Sequence, residues 1–422
     1  MKFALASYGT RGDVEPCVAV GRELQRRGHD VRTAVPPDLV GFAESAGLTA
    51  VAYGPDARRW QDVHRELLTC VSRSFWKVQD LTRLWREDWH LFTQFGEATG
   101  TTLTSLADGA DLLFTGVIGE QSAANVAEYC GIPLATLHTY PMRANGQLVP
   151  ILPAPLVRSA VTLFEWAQSP LTYKLEGAQR RELGLPKAKG LSSRRITERG
   201  SLEIQAYDEV CFPGLAAEWA RFDGRRPFVG ALTLESPTEV DEEAASWIAA
   251  GTPPIFFGFG SMPVESPAET LAMISGACAQ LGERALVGAG GTDFGLVSHS
   301  DHVKVVGTLN YAATFPACRA VVHHGGAGTT AAGLRAGVPT LILSTWPDQK
   351  LWGARVKRLN VGTFRRFSST SQESLVADLR AILAPECAAR AREVAGRMTK
   401  TEESVSTTAD LMEDFARLRR VG

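Results

Sequence analysis

The 422-residue sequence contains no CxxC pair and no cluster of His and Cys at metal-ligand spacing, and its seven cysteines are scattered. An odd, unpatterned set points to reduced thiols in a cytoplasmic protein, buried as small apolar side chains. Positive charge is not in excess either: 44 Lys and Arg stand against 46 Asp and Glu, a formal net charge of −2. That argues against a general nucleic-acid binder, which must neutralise a phosphate backbone. No apolar run reaches the roughly 18 residues a membrane-crossing helix needs. The opening MKFALASYG, with one Lys and few apolar residues, reads as a strand rather than a signal peptide. No GxGxxG follows either of the strands that open the two halves of the chain, which ranks a Rossmann oxidoreductase low.

What is present is an alternation. KFALAS (2–7), VRTAVP (31–36), LTAVAYG, DLLFTG (111–116) and LATLHTY (134–140) are short apolar runs separated by helix-period segments. A second series follows: PIFFGFG (254–260), a helix at 267–281, RALVGAG, VKVVG, AVVHHGG, a helix at 331–336, TLILST (340–345), a helix at 348–359 and VGTFR. Strands alternating with helices predict parallel doubly wound sheets, with ligands at the C-terminal ends of their strands. Two amphipathic helices, about 375–397 and 403–420, close the chain. Between the series, around residues 213–237, Gly, Pro and charges interleave as in an interdomain linker. The expected domains are therefore 1–212, a linker at 213–237, 238–400, and a C-terminal helix at 401–422 that packs back on the first domain.

Two segments break the rhythm. Residues 60–100 carry Trp60, Phe75, Trp76, Trp85, Trp89, Phe92 and Phe95, several near helical spacing. Core packing and the wall of a pocket for a large apolar ligand both account for them. Residues 141–200, rich in proline and holding the basic KAKGLSSRR, read as mobile loops joined by one or two helices.

The stretch AVVHHGGAGTTAAG (320–333) concentrates the chemistry. Glycines 325, 326 and 328 allow a sharp turn and close approach of a ligand, and the following helix points free N–H groups into that turn. With the histidines and threonines as further donors, the natural occupant is a phosphate or diphosphate. A tight turn with core histidines is the alternative from this segment alone.

Three separated motifs carry a resemblance: YGTRGDVEP near the N-terminus, FGFGSM at 257–262, and HHGGAGTT…PDQ over 323–349. In this order and spacing the chain resembles the two-domain GT-B glycosyltransferases of family 1. It is most similar to the actinobacterial branch with the glycopeptide-antibiotic, sterol-like and mycobacterial glycopeptidolipid enzymes. The resemblance implies two Rossmann-like domains facing a cleft, with the donor nucleotide on the second. On that basis His324 contacts phosphate, His323 orients or packs, and Ser261, Gly326, Gly328, Thr329 and Thr330 surround the diphosphate. Thr308, Leu309 and Asn310 reach the base, and Asp348 and Gln349 the sugar hydroxyls, although a carboxylate and an amide at a helix start are also an ordinary cap.

Where other members carry a His after the first strand, this chain reads Gly12, Asp13, Val14, Glu15, Pro16. Asp13 is then the expected base for the acceptor hydroxyl, against the alternative of a helix cap; His138, ending a strand on the same edge, is a second candidate. Arg11 would lower the aspartate's pKa or bind an acceptor acid, and Trp76, Trp85, Trp89 and His138 would line the acceptor site. No Asp-x-Asp is placed for a metal, so the expectation is inverting, metal-independent transfer without a cofactor. The donor would be UDP-glucose or another UDP- or TDP-hexose, and the acceptor a large lipophilic molecule: a glycolipid or lipopeptide intermediate, a sterol-like lipid or a macrocyclic antibiotic. A lipid acceptor would allow peripheral contact with the inner face of a membrane. A nucleotide-sugar epimerase and a non-catalytic nucleotide-sugar-binding protein are the competing functions on the same fold.

Overall fold

Parallel strands covered on both faces must be apolar nearly throughout, and the short runs of this chain meet that demand. In the computed structural model, which describes the backbone of residues 1–73, 78–148, 152–260, 264, 266–292, 294 and 301–420, they form two six-stranded sheets. The first comprises β1 (Lys2–Ala6), β2 (Asp30–Val35), β3 (Ala50–Ala52), β4 (Leu112–Thr115), β5 (Leu134–His138) and β6 (Leu202–Gln205). Its strands pair in parallel in the order β3-β2-β1-β4-β5-β6. The second comprises β7 (Ile255–Gly258), β8 (Ala285–Gly288), β9 (Val303–Val306), β10 (Ala320–His323), β11 (Thr340–Ser344) and β12 (Gly362–Arg366). Its order, β12-β11-β10-β7-β8-β9, is the same pattern counted from its own first strand. This is the doubly wound arrangement, whose strand order reverses beside the first strand and opens a crevice at the carboxyl ends there.

The chain divides into two compact units, one of residues 1–206, 214–232 and 402–422, the other of 207–213 and 233–401. In the first, the helix Thr401–Arg420 buries Ala409, Met412, Phe415 and Ala416 in one core with Phe3 and Leu5 of β1 and Leu24 of the helix Arg11–Arg26. Arg27 ties it down through Asp410 at 2.6 Å and Glu413 at 3.0 Å. In the second, Arg335, on the last turn of the helix Ala327–Ala336, donates from Nη1 to the hydroxyls of Thr401 (2.7 Å) and Thr233 (3.2 Å). Both points where the chain passes between units at residues 232–233 and 401–402 are thus held by one guanidinium.

Four elements differ from the sequence expectation. Strand β6 is absent from it because Glu203 and Gln205 interrupt the apolar run, yet both are buried, Glu203 against Arg143 and Arg226. Within 141–200, expected to be mobile loops joined by one or two helices, residues 154–182 form a single helix of 29 residues, Ala154–Glu182. The helix after β10 begins at Ala327 rather than 331, with Gly326 as its N-cap. The penultimate helix is two, Gln372–Ile382 and Pro385–Ala395, because Pro385 has no N–H to continue the first and fits the first turn of the second.

Candidate functional site

At the C-terminal end of β10 the backbone leaves a buried strand and must turn within three residues into a helix. Gly325 makes that turn at φ +99°, and a Cβ there would come within 2.8 Å of Ile342 Cγ2. Gly326 then caps the helix Ala327–Ala336. Its first backbone N–H groups have no partner within the helix and carry its positive end. The Thr330 hydroxyl donates back to the Gly326 carbonyl at 2.8 Å, so it serves its own turn, whereas Thr329 and Gly328 lie half-buried on the first turn.

The two histidines differ in placement. His323 is fully buried, and its Nδ1 accepts the Gly325 N–H at 3.0 Å. Nδ1 is therefore unprotonated and the proton of the neutral ring sits on Nε2, which is buried without a hydrogen-bond partner among the described residues. Burial, with His324 beside it, holds its pKa well below the ordinary value. His324 is partly exposed, but its Nδ1 is buried and also lacks a partner among the described residues. Burial pulls its pKa down to about 4, opposed by a hydrogen bond to the Gly258 backbone. Both rings are neutral near pH 7.

The glycines of two motifs make room for this second ring. A Cβ at Gly260, whose φ is +69°, would come 2.6 Å from His324 Cε1, and one at Gly326 2.7 Å from Nε2. Nothing comparable holds at Gly328, where a Cβ would meet only Thr233 Cγ2 at an ordinary 3.6 Å.

On the neighbouring edge, Gln349 is buried in the first turn of the helix Pro347–Arg358. Its Oε1 accepts from the Thr345 N–H (2.7 Å), the Trp346 N–H (2.9 Å) and the Thr345 hydroxyl (3.0 Å). It is a cap through its oxygen, and those bonds do not use its amide nitrogen. After β9, Thr308 is exposed, Leu309 is buried and Asn310 caps the short helix Tyr311–Thr314 by accepting the Ala312 N–H at 3.1 Å. Asp241 holds this segment from below, accepting the Asn310 N–H at 2.9 Å. Ser261 and Trp76 lie outside the described residues, as do the side chains of Trp89 and Asp348.

At the corresponding edge of the first sheet, Asp13 is the third residue of the helix Arg11–Arg26. Its Oδ2 accepts from the Thr10 N–H at 2.7 Å and the Thr10 hydroxyl at 2.9 Å, and its carbonyl accepts from Ser7 Oγ at 2.8 Å. A Cβ at Gly9, φ +128°, would strike that carboxylate oxygen at 2.4 Å, so the YGTRGD turn is shaped around Asp13. Arg11 turns elsewhere: its guanidinium lies over the Phe42 ring at 4.6 Å and pairs with Glu15 at 3.2 Å. His138 is fully buried, with Nε2 3.0 Å from Glu120 Oε1 and Nδ1 3.3 Å from Gln205 Nε2. Glu120, which burial alone would raise, is held far below the usual carboxylate range by Arg143 and His138. Arg143 in turn pairs with Glu203, and Glu203 with Arg226. His138 thus belongs to an interior ionic network, where an acceptor hydroxyl does not reach it. Trp60 and Phe95 pack with Tyr8 and Tyr53 in the core, whereas Trp85 is exposed.

Comparison with known proteins adds to this geometry. The glycosyltransferase family 28 N-terminal domain matches residues 3–95, and the erythromycin biosynthesis protein CIII-like C-terminal domain matches residues 289–417. The uncharacterized glycosyltransferase Rv1524 of Mycobacterium tuberculosis is 60% identical over 100% of both chains. The chain belongs to the GT-B glycosyltransferases. Glycosyltransferase GtfE of Amycolatopsis orientalis is 29% identical to it over 98% of this chain and 97% of its own. In fold, this glycosyltransferase is similar to glycosyltransferase VinC, solved in complex with dTDP, at a TM-score of 0.66 and 18% identity over the full length of both.

Two residues that shape this glycosyltransferase's second unit escape sequence reasoning. Asp241 reads as an ordinary helix-start acid, and only the tertiary fold shows it gripping the Asn310 N–H. Gly260 lies within a recognised motif, but its steric reason is a ring 64 positions away in the sequence.

Proposed function

We propose that the enzyme moves a hexose from a UDP- or TDP-sugar to a hydroxyl of a large lipophilic acceptor, by a single inverting displacement without a metal. The observation that carries this is the glycine-walled turn that seats His324 beside the N-terminus of the 327–336 helix at the reversal point of the second sheet. Departure of a nucleoside diphosphate builds negative charge on the β-phosphate, and donors fixed beforehand stabilise it without reorganising. His324, the N–H groups opening the helix, Thr329 and Ser261 are assigned that task. Gly328, where the protein's own packing asks for no glycine, keeps the surface bare for the diphosphate. Thr308, Leu309 and Asn310 are assigned to the base, and Asp348 with the amide nitrogen of Gln349 to the sugar hydroxyls.

In the displacement the acceptor oxygen bonds to the anomeric carbon as the bond to the diphosphate oxygen breaks, and the acceptor proton passes to Asp13. Thr10 fixes that carboxylate in place, which supports Asp13 rather than the buried His138 as the base. The acceptor falls to the first unit, with Arg11, Trp76, Trp85 and Trp89 as its contacts. Within the GT-B enzymes, the order of the three motifs and the relation to GtfE support placement in family 1 and its actinobacterial branch. A lipid acceptor would bring the cytoplasmic enzyme to the inner face of a membrane.

A donor-by-acceptor panel read by mass spectrometry tests the reaction, and calorimetry with UDP and TDP tests the donor site. Retained turnover in EDTA is expected; abolition by EDTA with rescue by Mg²⁺ or Mn²⁺ would replace the protein-donor account with metal assistance. Conversion of the nucleotide sugar without any acceptor would make the enzyme an epimerase instead.

A further inference from the structure

We infer that the outer face of the helix Ala154–Glu182 docks the enzyme onto the surface of an anionic lipid bilayer. The helix packs one face inward through Val157, Glu176, Gln179 and Arg180, all buried. Its opposite face presents Leu156, Leu163 and Trp166, which are 61%, 63% and 66% exposed. Leu152, just before the helix, and Tyr173 extend the stripe. Single exposed apolar side chains are ordinary; a line of them at steps of 7, 3 and 7 residues along one helix face, from Leu156 to Tyr173, is not.

The charges on this face select the partner. Lys174 lies eleven residues after Leu163 and Arg181 seven after Lys174, spacings that return to the same side of a helix. Both are exposed, as are Lys187 and Lys189 in the chain that follows, and none of the four forms an ion pair among the described residues. The carboxylates of the helix point away or inward: Glu176 is buried against Arg195 and Gln121, and Glu165 accepts from Ser193 at 3.0 Å. Glu182, exposed at the last position, is turned about 100° from Arg181. An apolar stripe ending in a cationic cluster matches the acyl boundary and headgroups of an anionic leaflet.

A second helix adds to the surface. Gly96 of the helix Val78–Ala107 faces Leu175, and Gly100 faces Gln179. The two helices therefore run parallel in register, which sets the exposed Trp85 level with residue 164. No helix among the described residues is long and apolar enough to cross a membrane, so the contact is peripheral. The inference deepens the proposal of a lipophilic acceptor by naming how the enzyme meets the phase that holds one, and its test uses no acceptor, so the two can fail separately.

The test is cosedimentation of the full chain with vesicles of phosphatidylcholine alone and of equal parts phosphatidylcholine and phosphatidylglycerol. Binding about ten-fold stronger to the anionic vesicles, and weakened by about 0.5 M salt, is expected. Leu163→Glu with Trp166→Glu should lower binding to anionic vesicles about ten-fold or more. Lys174→Glu with Arg181→Glu should remove only the anionic preference. Thermal melting and UDP calorimetry, unchanged in both variants, show that fold and donor site are intact. Absence of vesicle binding by the wild type, or wild-type binding by the Leu163/Trp166 variant, overturns the inference. So does a wild-type dimer in sedimentation that the Leu163/Trp166 variant converts to monomer, since a second copy would then cover the stripe.

Discussion

The two sheets share one strand order, yet what gathers at their reversal points differs in kind. In the second unit the edge is made of backbone: glycine turns after β7 and β10, a helix N-terminus, and two neutral imidazoles placed by them. In the first, side chains dominate, with Asp13 locked by Thr10 and an ionic chain running from His138 through Glu120, Arg143 and Glu203 to Arg226. A diphosphate presents the same oxygens whatever sugar it carries, and fixed N–H groups suffice for it. An acceptor hydroxyl must be deprotonated, which needs a side chain of controlled charge.

The comparison breaks most visibly at Asp13. Asn preserves much of the shape and still accepts from Thr10, but it takes no proton; kcat should fall about 10²- to 10⁴-fold, with melting temperature and nucleotide affinity nearly unchanged. Steady-state kinetics beside calorimetry decides this. Near-normal kcat in Asp13→Asn would leave the residue a helix cap and move the base elsewhere.

Next in size is the ionic chain. Arg143→Met leaves Glu120 and Glu203 buried without their shared cation, and loss of about 3 to 5 kcal/mol of stability is expected. Chemical denaturation measures it. UDP affinity of the protein that remains folded should be unaltered, because none of these groups belongs to the second unit.

His324→Ala should weaken UDP or TDP binding by about 1.5 to 3 kcal/mol, the usual worth of a hydrogen bond to a charged group. The same residue carries a pH signature. An unfolded imidazole titrates at about 6.5, the folded one at about 4. Between those values the unfolded state holds more protons, so stability is lost as pH falls through that window. The acid limb of a melting-temperature profile should flatten there in His324→Ala, and an unchanged limb would mean that His324 is not buried neutral.

The same contrast explains what was legible in the sequence. The geometry after β10 is local: Gly325, Gly326 and His324 are neighbours in sequence, and their turn follows from glycine's conformational freedom. What local reasoning missed was the start of the helix at Ala327, hidden because GAGTT reads as loop. The edge of the first sheet is assembled from residues 10 to 226, and no local pattern announces that Glu203 and Gln205 lie in an interior strand. Buried charges become stable only through partners that the fold delivers. His138 illustrates the limit: its position at a strand end was readable, but Glu120 and Gln205 on its two nitrogens were not.

The smallest effect sharpens the comparison furthest. Glycines 260, 325 and 326 are each required by protein atoms that a Cβ would strike, but at 328 a Cβ would find only ordinary contact with Thr233. Gly328 also lies in the first turn of a helix, where alanine is the better residue by as much as about 1 kcal/mol. If packing alone governed this turn, Gly328→Ala would melt slightly higher and bind nucleotide as before. If the bare backbone there admits a diphosphate, the same substitution should keep or raise the melting temperature while UDP affinity drops by about 1 kcal/mol, the worth of one backbone hydrogen bond held off its best distance. Gain of stability with loss of affinity in a single variant is an outcome that a structural role for the glycine does not produce, and calorimetry paired with thermal melting reads both.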